Sequence, residues 1–270
     1  VRHFGDVSHF NKVNIQGTKH LLDLTKSNSQ IRFHHISTLG IPEDLAAEGK
    51  WEEVIKEPKF SDDLKLENVY TNSKLMSEKL VYKAGEEGAA ITVYRAGNLT
   101  CRSFDGLFQK NINNNAFYRI IKSMILLGKA PKINCHLDLT PIDYASKTIV
   151  YLACRCDTIG ETFHICNPDQ ILYSSFIDTI NNFGYRVELI DQTDYEKWLL
   201  DSSINKNQEG LELAMAQLEG SDIRDSGYRF ACSNTIKYMD SSYLKLTRIN
   251  QDFVNKMLDY AVKVGYFPGP

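Results

Sequence analysis

Tyr70 and Lys74 stand four residues apart in the stretch NVYTNSKLMSEKLV. That offset brings two side chains to one face of a helix, a turn apart. A phenol held beside an ammonium is a candidate proton donor. Tyrosine ordinarily titrates at about 10. A positive charge about 4 Å away, at an effective dielectric near 20, is worth on the order of 4 kcal/mol. Lys74 is therefore expected to draw the Tyr70 phenol down toward neutrality, ready to protonate an oxygen that gains negative charge. Taken alone, such a pair also fits a half-exposed helix face, so its neighbours along the chain must decide.

Three segments surround the pair. IRFHHIST is an apolar run that reads as a buried strand ending in Ser37-Thr38, and AAITVYRAGNLT reads as another, ending in Gly97-Asn98. KVNIQGTKHLLDLTK reads as a helix that carries Asn14, with Leu21, Leu22 and Leu24 on its apolar side.

In this order the pieces resemble the extended short-chain dehydrogenase/reductase superfamily. Asn14-Ile15-Gln16-Gly17-Thr18 matches its Asn-x-x-Gly-Thr helix, and Ser37-Thr38 its Ser-Thr strand end. Tyr70 to Lys74 matches its Tyr-x-x-x-Lys pair, and Arg95-Ala96-Gly97-Asn98 its Arg-x-x-Asn strand end. Each element is weak, but the ordered set over roughly the first hundred residues is specific. Further on, HLDLTPIDYASKTIVYLA, ETFHICNP and the terminal FPGP are similar to thioester reductase domains. Such domains end some non-ribosomal peptide synthetases and close carboxylic acid reductases and fungal aminoadipate reductases. The Leu-Thr-Pro-Ile-Asp-Tyr run at 139–144 is the most specific part of that likeness.

The resemblance implies a Rossmann-like doubly wound parallel sheet with a smaller α-rich C-terminal substrate section. It implies NADPH as cofactor and, as substrate, an acyl or peptidyl thioester on the phosphopantetheine arm of a carrier domain. Reduction would give an aldehyde, and a second round the alcohol. Thr38, Tyr70 and Lys74 take the catalytic roles; Asn14, Ser37, Tyr70, Lys74, Gly97 and Asn98 are the expected cofactor-binding set, Asn14 by ordering the backbone or a water near Lys74. Two other readings stay open. A nucleotide-sugar epimerase or dehydratase would use the same Thr, Tyr and Lys, although Leu39-Gly40 stands where dehydratases carry Asp-Glu. A module that binds a dinucleotide without chemistry would commonly lack the Tyr or the Lys.

One feature of the superfamily is missing. A dinucleotide fold opens with a strand, a Gly-rich turn and a helix, and this sequence has no such turn. Gly85-x-x-Gly88 reads as a helix stop instead. The sheet is thus expected to lack its first strands, and the preference for NADPH rests on the family alone.

Composition allows a sizeable core. The 270 residues are 43% hydrophobic, enough for one large or two modest domains. A net charge of −3 leaves no nucleic-acid footprint, and no apolar run is long enough to span a membrane. The six cysteines form no Cys-x-x-Cys and, with the scattered histidines, no metal-ligand spacing. They read as buried free thiols of a reducing, cytoplasmic setting, although Cys154-x-Cys156 also has the form of a redox pair. His34 and His35 read as strand residues.

Residues 1–166 are expected to form the partial dinucleotide-binding domain, with a substrate-side excursion at about 101–140. Residues 167–270 are expected to form the substrate section, with helices near 174–183, 194–200, 208–218 and 250–264 and a strand at YRVELI. Within the excursion, FYRIIKSMILLGKAP is an amphipathic helix ended by Gly128 and Pro131, whose Met124, Ile125 and Leu126 read as core. Pro141 opens the next helix. An acidic insertion at 41–63 reads as a solvated loop with a short helix, and Trp51 and Phe60 within it would cover substrate.

Overall fold

A computed structural model describes residues 7–28, 30–47, 64–201, 207–218, 229–240, 242, 244 and 246–270. Trp51, Phe60 and most of the acidic insertion lie outside the described residues, as do most of 201–207 and all of 220–227, Asp/Ser-rich stretches that read as loop in the sequence.

The chain opens with α1 (Val7–Phe10), runs through a π-helical turn at Asn11–Gln16, and continues as α2 (Gly17–Ser27). Only one of the three leucines expected on the buried side is there. Leu22 is buried with Thr18 and Thr25, whereas Leu21 and Leu24 are each 56% exposed. Positions 18, 22 and 25 lie on one helical stripe, and the residues beside Leu22 necessarily rotate off it. β1 (Phe33–Thr38) follows, then α3 (Gly40–Ala47) and α4 (Val69–Glu86). Asn68 starts α4 by accepting from the Tyr70 and Thr71 amides at 2.9 and 3.3 Å, the geometry of an N-cap. The helix stops just before Gly88, whose φ of +98° suits glycine.

β2 (Ile91–Ala96) is buried at every position, as a central parallel strand must be. It pairs in parallel with β1, Thr38 opposite Ala96. On its other side lies β7 (Thr162–Ile165), Ala96 opposite Ile165. The order β1-β2-β7 makes a three-stranded parallel sheet. α2 and α4 cover one face through Leu22, Val81, Tyr82 and Val93. α6 (Ile142–Ala153) covers the other through Ala145 and Leu152 against Tyr94, Phe163 and Ile165. Helices on both faces of a parallel sheet are the doubly wound arrangement that the sequence implied.

Between β2 and α6 run β3 (Leu99–Thr100), α5 (Ala116–Leu127), β4 (Lys129–Lys132), β5 (His136–Leu137) and β6 (Thr140–Pro141). After β7 come β8 (Ile171–Leu172), α7 (Tyr173–Phe183), β9 (Glu188–Asp191), α8 (Gln192–Leu200), α9 (Gln208–Leu218), α10 (Ser233–Met239) and α11 (Gln251–Lys263). α5 ends at Gly128 in the left-handed region, φ +66°. Pro131 lies beyond that helix end, as expected, and belongs to β4, which pairs in parallel with β9. The α5 residues Phe117, Ile121 and Met124 share one core with Phe176 and Ile180 of α7 and Val254 and Leu258 of α11. The excursion therefore packs with the C-terminal section.

Of the six cysteines, Cys101, Cys135, Cys166 and Cys232 are buried, but Cys154 and Cys156 are exposed. The end of α6 carries those two into solvent. Among the described residues no helix is long and apolar enough to cross a membrane.

Candidate active site

α4 projects Tyr70 and Lys74 toward the C-terminal ends of β1 and β2. Tyr70 is only 9% exposed. Its ring packs on Phe10 of α1, centroids 5.9 Å apart, and the Thr38 side chain lines the same cavity, near enough to favour the ionised phenol. Thr38 in turn accepts the Gly40 amide at 3.1 Å. A Cβ at Gly40 would stand 2.9 Å from the Thr71 methyl, so a glycine keeps the turn after β1 close to α4. Lys74 donates to the Ile36 carbonyl at 3.1 Å. An ammonium has three N–H donors, and this bond uses one.

These side chains meet in one cavity of about 430 Å³. Ser37, Thr38, Tyr70, Lys74, Gly97 and Asn98 all line it. Asn14 does not. Its amide donates to the Ser73 hydroxyl at 2.8 Å, and its carbonyl accepts from Ser77 at 2.7 Å. Asn14 thus clamps the helix that carries the pair, on the residue next to Lys74. The rest of the lining comes from α3 and α5 and from the β5 region, with Phe117, Ile120, Leu137 and Phe230 making it apolar and Glu43, Asp44 and His136 polar.

The expected depression of the Tyr70 pKa is not observed. Burial raises the phenol above its ordinary value, and the Thr38 side chain only opposes this. The Lys74 ammonium is turned to a strand carbonyl, and burial lowers its own pKa, with Glu78 opposing. Tyr70 therefore stays protonated, the form in which it can donate.

A second polar group lies beneath the cavity. Arg95 and Glu78, 1% and 0% exposed, form a forked ion pair with bonds of 3.1, 3.2 and 2.8 Å. Burial alone would push the Glu78 carboxyl up, but the charge and hydrogen bonds of Arg95, with help from Ser37 and His35, hold it below its ordinary value. Arg95 also donates to the Tyr82 hydroxyl at 3.2 Å and approaches His164 Nε2 at 3.4 Å. The sequence signal for this pair was present: Tyr70, Lys74, Glu78 and Tyr82 continue the same four-residue spacing down α4.

Asp138, absent from the expected set, closes the other wall. It is 5% exposed and lines the cavity. Its Oδ2 accepts the Asn98 amide at 2.9 Å, and its Oδ1 accepts the Thr140 hydroxyl at 2.6 Å and the Asn167 amide at 3.1 Å. A Cβ on Gly97 would fall 1.9 Å from Oδ2, so only glycine fits there. The visible clue was one carboxylate in the otherwise uncharged run LDLTPI.

Residues 1–149 match the NAD-binding family described as Male sterility protein. The chain belongs to that family. A linear gramicidin synthase polypeptide of Brevibacillus parabrevis is 27% identical over 260 residues, 94% of this chain but 5% of that protein. Among solved structures, the terminal R domain from the myxalamid PKS-NRPS pathway superposes with a TM-score of 0.81 at 24% identity, over 100% of this chain and 68% of that one. A thiolation-reductase di-domain from an archaeal non-ribosomal peptide synthetase gives 0.79 at 26% identity, over 99% and 56%. This chain thus spans a twentieth of the gramicidin synthase polypeptide and roughly two thirds or less of the two solved chains. The sequence assignment to the reductase-domain group of this family holds, as does the Rossmann-like α/β fold.

Proposed function

We propose that this chain performs the NADPH-dependent reductive release of an acyl or peptidyl thioester from a phosphopantetheine-bearing carrier domain, giving an aldehyde. The observation that carries the reading is the convergence of Thr38, Tyr70, Lys74, Gly97 and Asn98 on one cavity, in a chain of an NAD-binding family. The solved relative that joins a thiolation domain to a reductase domain supports a carrier as partner. On this reading 1–166 is the cofactor side and 167–270 the substrate side, with the 101–140 excursion contributing α5 to the substrate wall. The buried thiols accord with a cytoplasmic setting.

The residues here suit the nicotinamide half of a dinucleotide. Gly97 and Asn98 line the cavity beside the Asp138 carboxylate, which fills the space a Gly97 side chain would take, and Lys74 retains N–H donors for ribose hydroxyls. Asn14 acts through α4, by holding Ser73. When bound, the reduced dinucleotide supplies hydride to the thioester carbonyl carbon. Thr38 and Tyr70 are placed to donate to the oxygen as it becomes negative. Tyr70 then gives up its proton; its raised pKa is no obstacle, because the alkoxide formed is a stronger base than the phenolate left behind. The resulting hemithioacetal expels the thiol and leaves the aldehyde. A second round at the same site would give the alcohol.

Loss of NADPH fluorescence on adding a soluble pantetheine thioester tests the reading. Turnover with the thioester and silence with a nucleotide sugar supports it. The reverse result assigns the cavity to sugar chemistry, and silence with both assigns it to binding alone.

A further inference from the structure

We propose that the Asp138 carboxylate sets the redox preference of this pocket, holding the cationic, oxidised nicotinamide more tightly than the neutral, reduced one. The inference rests on the dinucleotide reading above and adds to it a charge on the wall opposite Tyr70 and Lys74.

Three observations carry it. Asp138 lines the same cavity as Gly97 and Asn98, and its Oδ2 is pressed against the Gly97 backbone. The carboxylate is nearly sealed, yet among the described residues no cation pairs with it. Its donors are the Asn98 and Asn167 amides and the Thr140 hydroxyl, and the titratable groups that share its field are Cys166, Cys232 and Tyr144. His136, two residues away, has its pKa lowered by burial and by Arg229, and Lys74 lines the cavity elsewhere. Burial pushes the Asp138 pKa up to about 6, while the three donors resist, so the group is mostly ionised at neutral pH. An unpaired buried anion is costly, and such groups in clefts concentrate at functional sites.

Each Asp138 oxygen has two lone pairs, and the backbone amide of Asn98 occupies one on Oδ2. The side chain therefore presents negative charge to whatever fills the space beside Gly97. Only the oxidised ring carries positive charge, so a fixed anion there favours the product form of the cofactor. The same field favours the transition state, in which that charge is developing. Asp138 exchanges no proton in the step.

The test compares NADP⁺ and NADPH affinities of the wild-type protein and of Asp138→Asn, by NADPH fluorescence and by displacement. Asp138→Asn is expected to weaken NADP⁺ relative to NADPH by about tenfold, the equivalent of one pKa unit. Equal weakening of both forms, or none, overturns the inference and leaves the dinucleotide reading intact. A wild-type protein that binds neither form overturns the reading itself. Should the variant fail to fold, the wild-type affinity ratio measured at pH 8 and at pH 5 decides. The preference for NADP⁺ should fall toward low pH as Asp138 protonates, because the 2′-phosphate common to both forms cancels. A flat ratio overturns the proposal.

Discussion

Helix α4 carries polar side chains at four-residue steps, yet its two halves obey different rules. In the first half Tyr70 and Lys74 reach a cavity beside the end of β1: Tyr70 lines it with Thr38, and Lys74 donates to the Ile36 carbonyl with N–H donors to spare. In the second half Glu78 and Tyr82 are sealed against Arg95, with Tyr82 also 2.9 Å from the Thr162 hydroxyl. Identical spacing thus gives cavity-lining groups where the helix meets a cleft and sealed groups where it meets the sheet. Burial with full hydrogen bonding distinguishes the two, more than residue type does.

The contrast between the halves breaks down if the lower one proves dispensable for folding. Arg95→Met leaves the Glu78 carboxylate buried and unpaired, and should cost about 3–5 kcal/mol in a denaturant titration. A loss under about 1 kcal/mol, the range of an exposed pair, would put both halves in one class.

Thr38→Val probes the upper half. It keeps the shape, removes the hydroxyl that meets Tyr70, and should reduce turnover on the order of 10²-fold, the usual worth of an oxyanion donor. Its unfolding midpoint should stay near that of the wild type. A large stability loss with normal turnover would exchange the roles of the two halves.

pH sharpens the contrast further. Burial pushes His35 and His164 down to about 4, with Lys74 and Arg95 respectively adding to the effect. In the unfolded chain histidine takes a proton near 6.5. Their neutral burial therefore contributes stability above about 6.5 that is lost as pH falls toward 4. Asp138, raised to about 6, works the other way, since the native state binds its proton first. Two protons against one leaves a net loss on the order of 1 kcal/mol per pH unit between 6 and 4. Midpoints of chemical unfolding at pH 7 and pH 5 check this, and a rise at pH 5 would contradict it.

The smallest expected effect is at the cap. Asn68→Ala removes the acceptor for the Tyr70 and Thr71 amides and should cost about 1 kcal/mol, read as a lowered unfolding midpoint.

Much of this was legible in the sequence because periodicity and chain punctuation are local signals. Gly88 after the Tyr70 helix, the apolar run of β2 and the glycine after α5 all lie where the chain pattern placed them. What was not legible depended on direction and distance. Spacing put Lys74 near Tyr70 but could not say that its ammonium turns to the Ile36 carbonyl, so the sign of the phenol's pKa shift came out reversed. Asn14 was expected to order the backbone or a water near Lys74, but the sequence could not name Ser73 as the residue it holds. Asp138 and Glu78 escaped notice because a carboxylate's importance lies in its burial and its partners, which the fold supplies from 40 residues and 17 residues away respectively.

The most direct test of the account is single-turnover oxidation of NADPH by a soluble pantetheine thioester, in wild type and in Tyr70→Phe. A fall of about 10²-fold or more in the reduction step, with dinucleotide affinity preserved, is the predicted result. A near-normal rate without the phenol would contradict it.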